Sequence, residues 1–175
     1  VEPSDVYAAG TTAGSLEMKT ASDSINLNAG QSFDVTFSVN AETSGFGGYL
    51  TYDNSVFTSV TVVVDGGTTS GKTDNNGEWK ASYNGYTHFL SVDYYKKDAA
   101  GNTTAQIADP VKVSGSSIAT LKFTSAKPVI KTDITFRPSY LRTNGSDVEL
   151  KTQKLTLTNS QAKTVTLSLG IVKGN

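Results

Sequence analysis

Cysteine is absent from this chain of 175 residues, and histidine, methionine and tryptophan occur once each. Without cysteine there are no disulfides, thiolate metal sites or cysteine nucleophiles, while the redox compartment stays open. A single histidine, His88, leaves metal centres and histidine-based triads short of partners, so a structural or surface role is expected of it. Runs of lysine or arginine are also missing. With a formal net charge of -1 and a pI near 5.8, the chain offers no footprint for a phosphate backbone or an anionic lipid surface, and neither nucleic acid nor membrane is expected as a partner. No stretch approaches the roughly 20 apolar residues of a membrane span. The N-terminus lacks the basic and apolar regions of a signal peptide, and Val1 to Asp5 followed by Ala8 to Gly14 reads as a linker-like lead-in with little to bury.

Threonine and serine are abundant, at about a quarter of the chain, and threonine suits a pleated surface because its branched Cβ packs there. Phe33-Asp34-Val35-Thr36-Phe37-Ser38-Val39 alternates apolar and polar residues throughout, which puts four apolar side chains on one face of a half-buried strand. Similar alternation marks Ala119, Leu121 and Phe123, then Ile134 and Phe136, then Val165, Leu167 and Leu169. Strands are expected at about 15–20, 33–39, 46–52, 56–64, 78–84, 87–95, 117–124, 132–138, 153–158 and 164–169. Asn84-Gly85 stands between two of them as a hairpin turn requires, and Asp65-Gly66-Gly67, Asn76-Gly77 and Asn144-Gly145 punctuate the chain in the same way. No window has sustained helical periodicity, although Asp98 to Pro110 could hold one helical turn. Val62-Val63-Val64 is apolar on both faces and belongs under a loop or at a rim. One wet face per sheet implies an all-β fold of two packed sheets in a single domain.

Routes to chemistry are few. Asp74-Asn75-Asn76-Gly77-Glu78 has its glycine fourth rather than sixth, so it reads as a hairpin turn and not as a calcium loop. Asn102-Thr103-Thr104 and Asn144-Gly145-Ser146 mark surface loops. Paired carboxylates would have to come from Asp53, Asp93 and Glu78, of which Asp53 reads as a turn cap and Asp93 as a rim contact. No catalytic and no metal-binding residues are expected.

Leu16 to Thr20, the turn Asn28-Ala29-Gly30-Gln31-Ser32, the strand that begins at Phe33, and Gly45-Phe46-Gly47-Gly48-Tyr49-Leu50-Thr51-Tyr52-Asp53-Asn54-Ser55-Val56-Phe57 together resemble the opening of a cohesin module, the receptor that binds dockerin modules in bacterial cellulosomes. Phe89 to Tyr94 and Ser117 to Phe123 continue the same order, so the resemblance runs from about Gly14 to Gly170. It implies a jelly-roll β-sandwich of about nine strands in two antiparallel-rich sheets over residues 14–170, with a lead at 1–13 and a tail at 171–175. The last family strand is either 153–158 or 164–169. Gly45 and Gly47 stand where many type I cohesins carry Asn and Asp, and the connections 96–116 and 140–159 are long, which points to a divergent subtype with different recognition.

In that family the dockerin docks on the exposed face of the sheet that corresponds to 46–52, 78–84, 87–95 and 132–138. Carried over, this puts Tyr49 and Thr51 outward, with Phe46, Leu50 and Tyr52 inward. It adds Trp79, Ala81, Tyr83, Leu90 and Val92 to the binding face, with Asp93, Arg137 and Ser139 at its rim. In this phase Leu90→Asp abolishes capture and leaves the fold intact. Burial logic alone turns Trp79, Ala81 and Tyr83 inward, because Lys80 and Ser82 belong in water, so both phases stand at this point. The resemblance further implies a monomeric, non-enzymatic, extracellular module. Its partner is a dockerin-bearing enzyme or scaffold that carries the calcium, and the chain itself has no cofactor. The competing functions are a carbohydrate-binding module with Trp79, Tyr83, Tyr94 and Tyr95 as a sugar platform, and a passive Ig-like spacer or adhesin domain.

Overall fold

A computed structural model describes residues 14–66, 69–70, 77–143 and 148–162. The lead 1–13, the tail 171–175, the expected strand 164–169, the turn residues Asp74 to Asn76 and the Asn144-Gly145-Ser146 sequon lie outside them. Among the described residues every regular element is a strand: β1 (Gly14–Thr20), β2 (Ser32–Thr51), β3 (Phe57–Val64), β4 (Thr69–Ser70), β5 (Gly77–Asn84), β6 (Phe89–Lys97), β7 (Thr103–Ile107), β8 (Val111–Ser125), β9 (Lys131–Thr143), β10 (Val148–Glu149) and β11 (Gln153–Thr158). They form a jelly-roll β-sandwich.

The stretches 33–39 and 46–52, expected as two strands, are one long strand that serves both layers. In its first half β2 pairs with β1 on one side and β8 on the other, and β3 continues that layer beyond β8. In its second half it lies between β6 and β9, which β5 and β11 extend outward. The passage between layers is made at Thr43 to Gly45. Gly45 has a φ of 151°, which a side chain would resist, and the buried Thr43 hydroxyl accepts the Gly45 N–H at 3.0 Å. Ahead of the bend, the β2–β8 register shifts on either side of Ser38, and Gly115 takes a φ of 81° beside Asn40.

Period-2 alternation fills the space between layers. Phe33, Val35, Phe37 and Val39 are buried as expected, and they meet Leu121 and Phe123 of β8 and Phe136 of β9 in one core. Phe37 packs edge-on to Phe136 at 5.0 Å between ring centroids, and Phe33 stacks on Phe123 at 5.5 Å. Each such side chain contributes about 1.5–3 kcal/mol by leaving water.

Connections account for the remaining differences. The Asn84-Gly85 hairpin is not a two-residue turn. Its loop spans 85–88, with the Asn84 carboxamide accepting the N–H groups of Tyr86 at 2.8 Å and Thr87 at 3.1 Å. His88, not Gly85, takes the positive φ, at 59°. His88 is held there by stacking on Tyr52 at 4.7 Å and by the Leu50 N–H, which donates to its carbonyl at 2.9 Å. Asp98 to Pro110 holds no helical turn: Asp98 caps a tight turn by accepting the N–H groups of Ala100 and Asn102, and β7 follows. Val63 and Val64 are exposed on β3, at the rim of their layer. Asp53 caps the corner after β2, where Ser55 donates its hydroxyl at 2.6 Å and its N–H at 2.9 Å, and these bonds hold the Asp53 carboxyl below its usual range.

Candidate functional site

The β5–β6 register decides which side chains reach solvent on the second layer. Lys80 lies opposite Asp93, Ala81 opposite Val92, Ser82 opposite Ser91 and Tyr83 opposite Leu90, and opposed residues share a face. Lys80 and Ser82 are exposed, which sends Asp93 and Ser91 outward with them. Trp79, Ala81, Tyr83, Leu90 and Val92 therefore point into the sandwich, and the outward placement implied by the family resemblance is corrected for all five. Leu90 and Val92 have no exposed surface, and Trp79 packs against Tyr94 at 4.9 Å. Tyr83 turns its hydroxyl to that of Tyr52 at 2.7 Å, so Tyr52 is half-buried and inward as expected. With Trp79, Tyr83 and Tyr94 inside, the sugar platform keeps only Tyr95 on the outer face.

Tyr49 and Thr51 do face outward, and Arg137 and Ser139 are exposed on β9. Ser139 is the unpaired residue of a bulge, since Gly47 opposes Tyr140 and Gly48 opposes Pro138. Around them lies a continuous band that includes three residues sequence reasoning missed: Phe89, Tyr140 and Arg142. The Arg137 guanidinium sits over the Tyr49 ring at 4.9 Å, Tyr49 meets Phe89 edge-on at 4.8 Å, and Phe89 stacks towards Tyr140 at 6.4 Å. Arg142 lies over the Tyr140 ring at 4.6 Å, closing the band.

Asp93 anchors the far end. It faces outward yet is only 6 % exposed, because the Tyr140 hydroxyl donates to its carboxylate at 2.9 Å and Arg142 Nε approaches at 3.3 Å. Gly45 and Gly47 make this seat. A Cβ on Gly45 would strike the Asp93 carboxylate, and one on Gly47 would strike the Tyr140 ring. The two glycines noted in the sequence as departures from type I cohesins are thus bare floor under Asp93 and Tyr140. Paired glycines on a strand signal such close approach, but they do not say which ring arrives.

Burial, followed by the Asp93 charge and hydrogen bond, holds the Tyr140 phenol well above the usual tyrosine range. Burial and the bond with Tyr52 do the same for Tyr83. Both remain protonated where an unfolded chain would ionise, so the stability they contribute is fully present below pH about 10 and is lost as pH rises beyond it. In an alkaline absorbance titration, two of the eight tyrosines are expected to ionise only when the fold is lost. Reversible titration of all eight in the folded protein would contradict this placement.

Two further carboxylates, Glu78 and Asp133, serve local contacts. Glu78 accepts the Thr103 hydroxyl, and Asp133 pairs with Lys154 at 3.6 Å. Among the described residues no group of three or more His, Asp or Glu side chains could hold a metal ion.

No known family profile matches the chain. No curated protein matches it either. Solved structures similar to it include a cohesin module of a family 33 glycoside hydrolase from Clostridium perfringens, at 11 % identity over 85 % of this chain and 97 % of that one, with a TM-score of 0.48. A type II cohesin domain from the cellulosome of Acetivibrio cellulolyticus is similar at 14 % identity over 83 % and 95 % of the two chains, with a TM-score of 0.46. An interface mutant of a type II cohesin–X-dockerin complex from the same organism is similar at 13 % identity over 77 % and 94 %, with a TM-score of 0.43.

Proposed function

We propose that this chain is a divergent cohesin-type receptor whose second layer docks a dockerin module on its outer face. The observation that carries the reading is the band Arg137–Tyr49–Phe89–Tyr140–Arg142. These residues form an aromatic centre with a cationic rim on a sheet whose other face is committed to the core. Tyrosine and arginine are common hot-spot residues, and a rigid sheet presents them at little conformational cost. The order of features in the sequence supports the family. The inward turn of Trp79 weighs against a carbohydrate platform. On this reading the chain is a monomeric extracellular module without catalytic activity, the partner belongs to an enzyme or scaffold, and calcium is carried by that partner.

Calorimetric titration with a panel of dockerins, in calcium and again in chelator, tests the reading, with polysaccharide retention measured alongside. Saturable binding that chelation removes is expected. Phe89→Ala is expected to weaken that binding by about 2 kcal/mol, roughly thirtyfold, because it removes the centre of the band. An unaffected affinity would move the interface elsewhere. No binding to any dockerin, with retention on polysaccharide, would replace the receptor by a carbohydrate binder.

A further inference from the structure

We infer that the band reads a helical partner segment carrying two carboxylates one heptad apart with an apolar residue between them, an inference that rests on the docking reading above. Arg137 opposes Tyr49 across the β2–β9 pair, and Arg142 opposes Gly45. Four residues of strand separate those positions, about 13 Å along the sheet. Between the two guanidinium groups the floor is aromatic, made by Tyr49, Phe89 and Tyr140.

The charges on this face are unequally committed. Glu78 takes the Thr103 hydroxyl, Asp93 takes Tyr140 and Arg142, and Asp133 takes Lys154. Arg137 meets an aromatic ring and, among the described residues, no carboxylate. Arg142 gives its Nε to Asp93 while its side chain stays 45 % exposed, and a guanidinium carries five donors. Seating over a ring limits the rotamers of each arginine, and a guanidinium fork matches a carboxylate in bidentate geometry. A chain of net charge -1 therefore offers a partner two ordered cations with an apolar gap between them.

Helix geometry fits that gap. Residues i and i+7 lie on one helix face about 10.5 Å apart, with i+3 and i+4 between them, and the reach of glutamate and arginine side chains closes the rest. A helix laid along β2 would set a glutamate at each arginine and a leucine on Phe89.

The test uses the full chain, isotopically labelled, and an alanine-based helical peptide with glutamate at i and i+7 and leucine at i+4, at low ionic strength. Its counterparts carry glutamine at both positions, or move the second glutamate to i+2. The glutamate peptide is expected to shift the amide resonances of Tyr49, Phe89 and Tyr140 and to bind about tenfold tighter than either counterpart. Arg137→Gln is expected to remove most of that difference. Equal binding of the three peptides, or no shift at those resonances, overturns the inference. A dockerin that binds wild type and Arg137→Gln alike overturns it too and leaves the docking reading standing. Peptide selectivity without any dockerin binding removes the docking reading instead.

Discussion

Leu90→Asp is expected to unfold the domain, not merely to silence it. Leu90 has no exposed surface and lies on the inner side of β6, opposite Tyr83 of β5. The substitution forfeits about 1.5–3 kcal/mol of apolar burial. It also buries a carboxylate without a partner, at a further cost of several kcal/mol. Together these rival the roughly 5–15 kcal/mol that holds a domain of this size. The loss should be largest at neutral pH, where the new group would otherwise be ionised. Circular dichroism on heating and in urea checks it, with Ser91→Asp as the control. Ser91 is the next residue, faces outward and exchanges a hydroxyl bond with Ser82 at 2.9 Å, so a change within about 1 kcal/mol is expected there. A folded Leu90→Asp protein with an ordinary melting temperature and no dockerin binding would restore the outward register that the family resemblance implied.

The same pair of residues explains what the sequence made legible and what it hid. In 33–39 every second residue is polar, so only one phase can be buried, and the observed strand buries all four apolar residues; Ser38 is buried as well, at the shift in the β2–β8 register. β6 is degenerate in this respect: Phe89, Ser91, Asp93 and Tyr95 form one set and Leu90, Val92 and Tyr94 the other, and each contains aromatic surface. The decision lay in the neighbouring strand, where Lys80 and Ser82 admit only one phase, and antiparallel register carries that phase across to β6. Local burial was the better guide because placing Trp79 and Leu90 in water would cost more than a distant family pattern can outweigh. Tyr140 and Arg142 were illegible for another reason. They fall in a stretch that reads as a connection, and their importance arises only when β9 pairs with β2 and brings Tyr140 over Gly47. The corner at Asp53 needed no such tertiary information, since an Asx turn closes within three residues.

Gly47→Ala tests whether that seat organises the face. An alanine on a strand normally gains a little over glycine by restricting the unfolded chain, so a loss must come from the folded side. Here the new methyl would occupy space held by the Tyr140 ring and press on the Leu90 carbonyl at 3.0 Å. The ring is the part able to leave, and its departure takes both hydroxyl contacts from the nearly buried Asp93 carboxylate. A cost of about 2–4 kcal/mol is expected, together with weakened partner binding. Tyr140→Ala removes the obstruction in advance, so adding Gly47→Ala to it should cost at least about 1 kcal/mol less than adding it to wild type. Gly48→Ala should show no such relief, because its methyl would meet the Arg137 carbonyl and the Phe136 ring, which trimming Tyr140 does not move. Additivity between Gly47 and Tyr140 in urea denaturation would mean that the ring does not rest on this glycine. The ordered end of the band at Asp93 and Arg142 would then need another support.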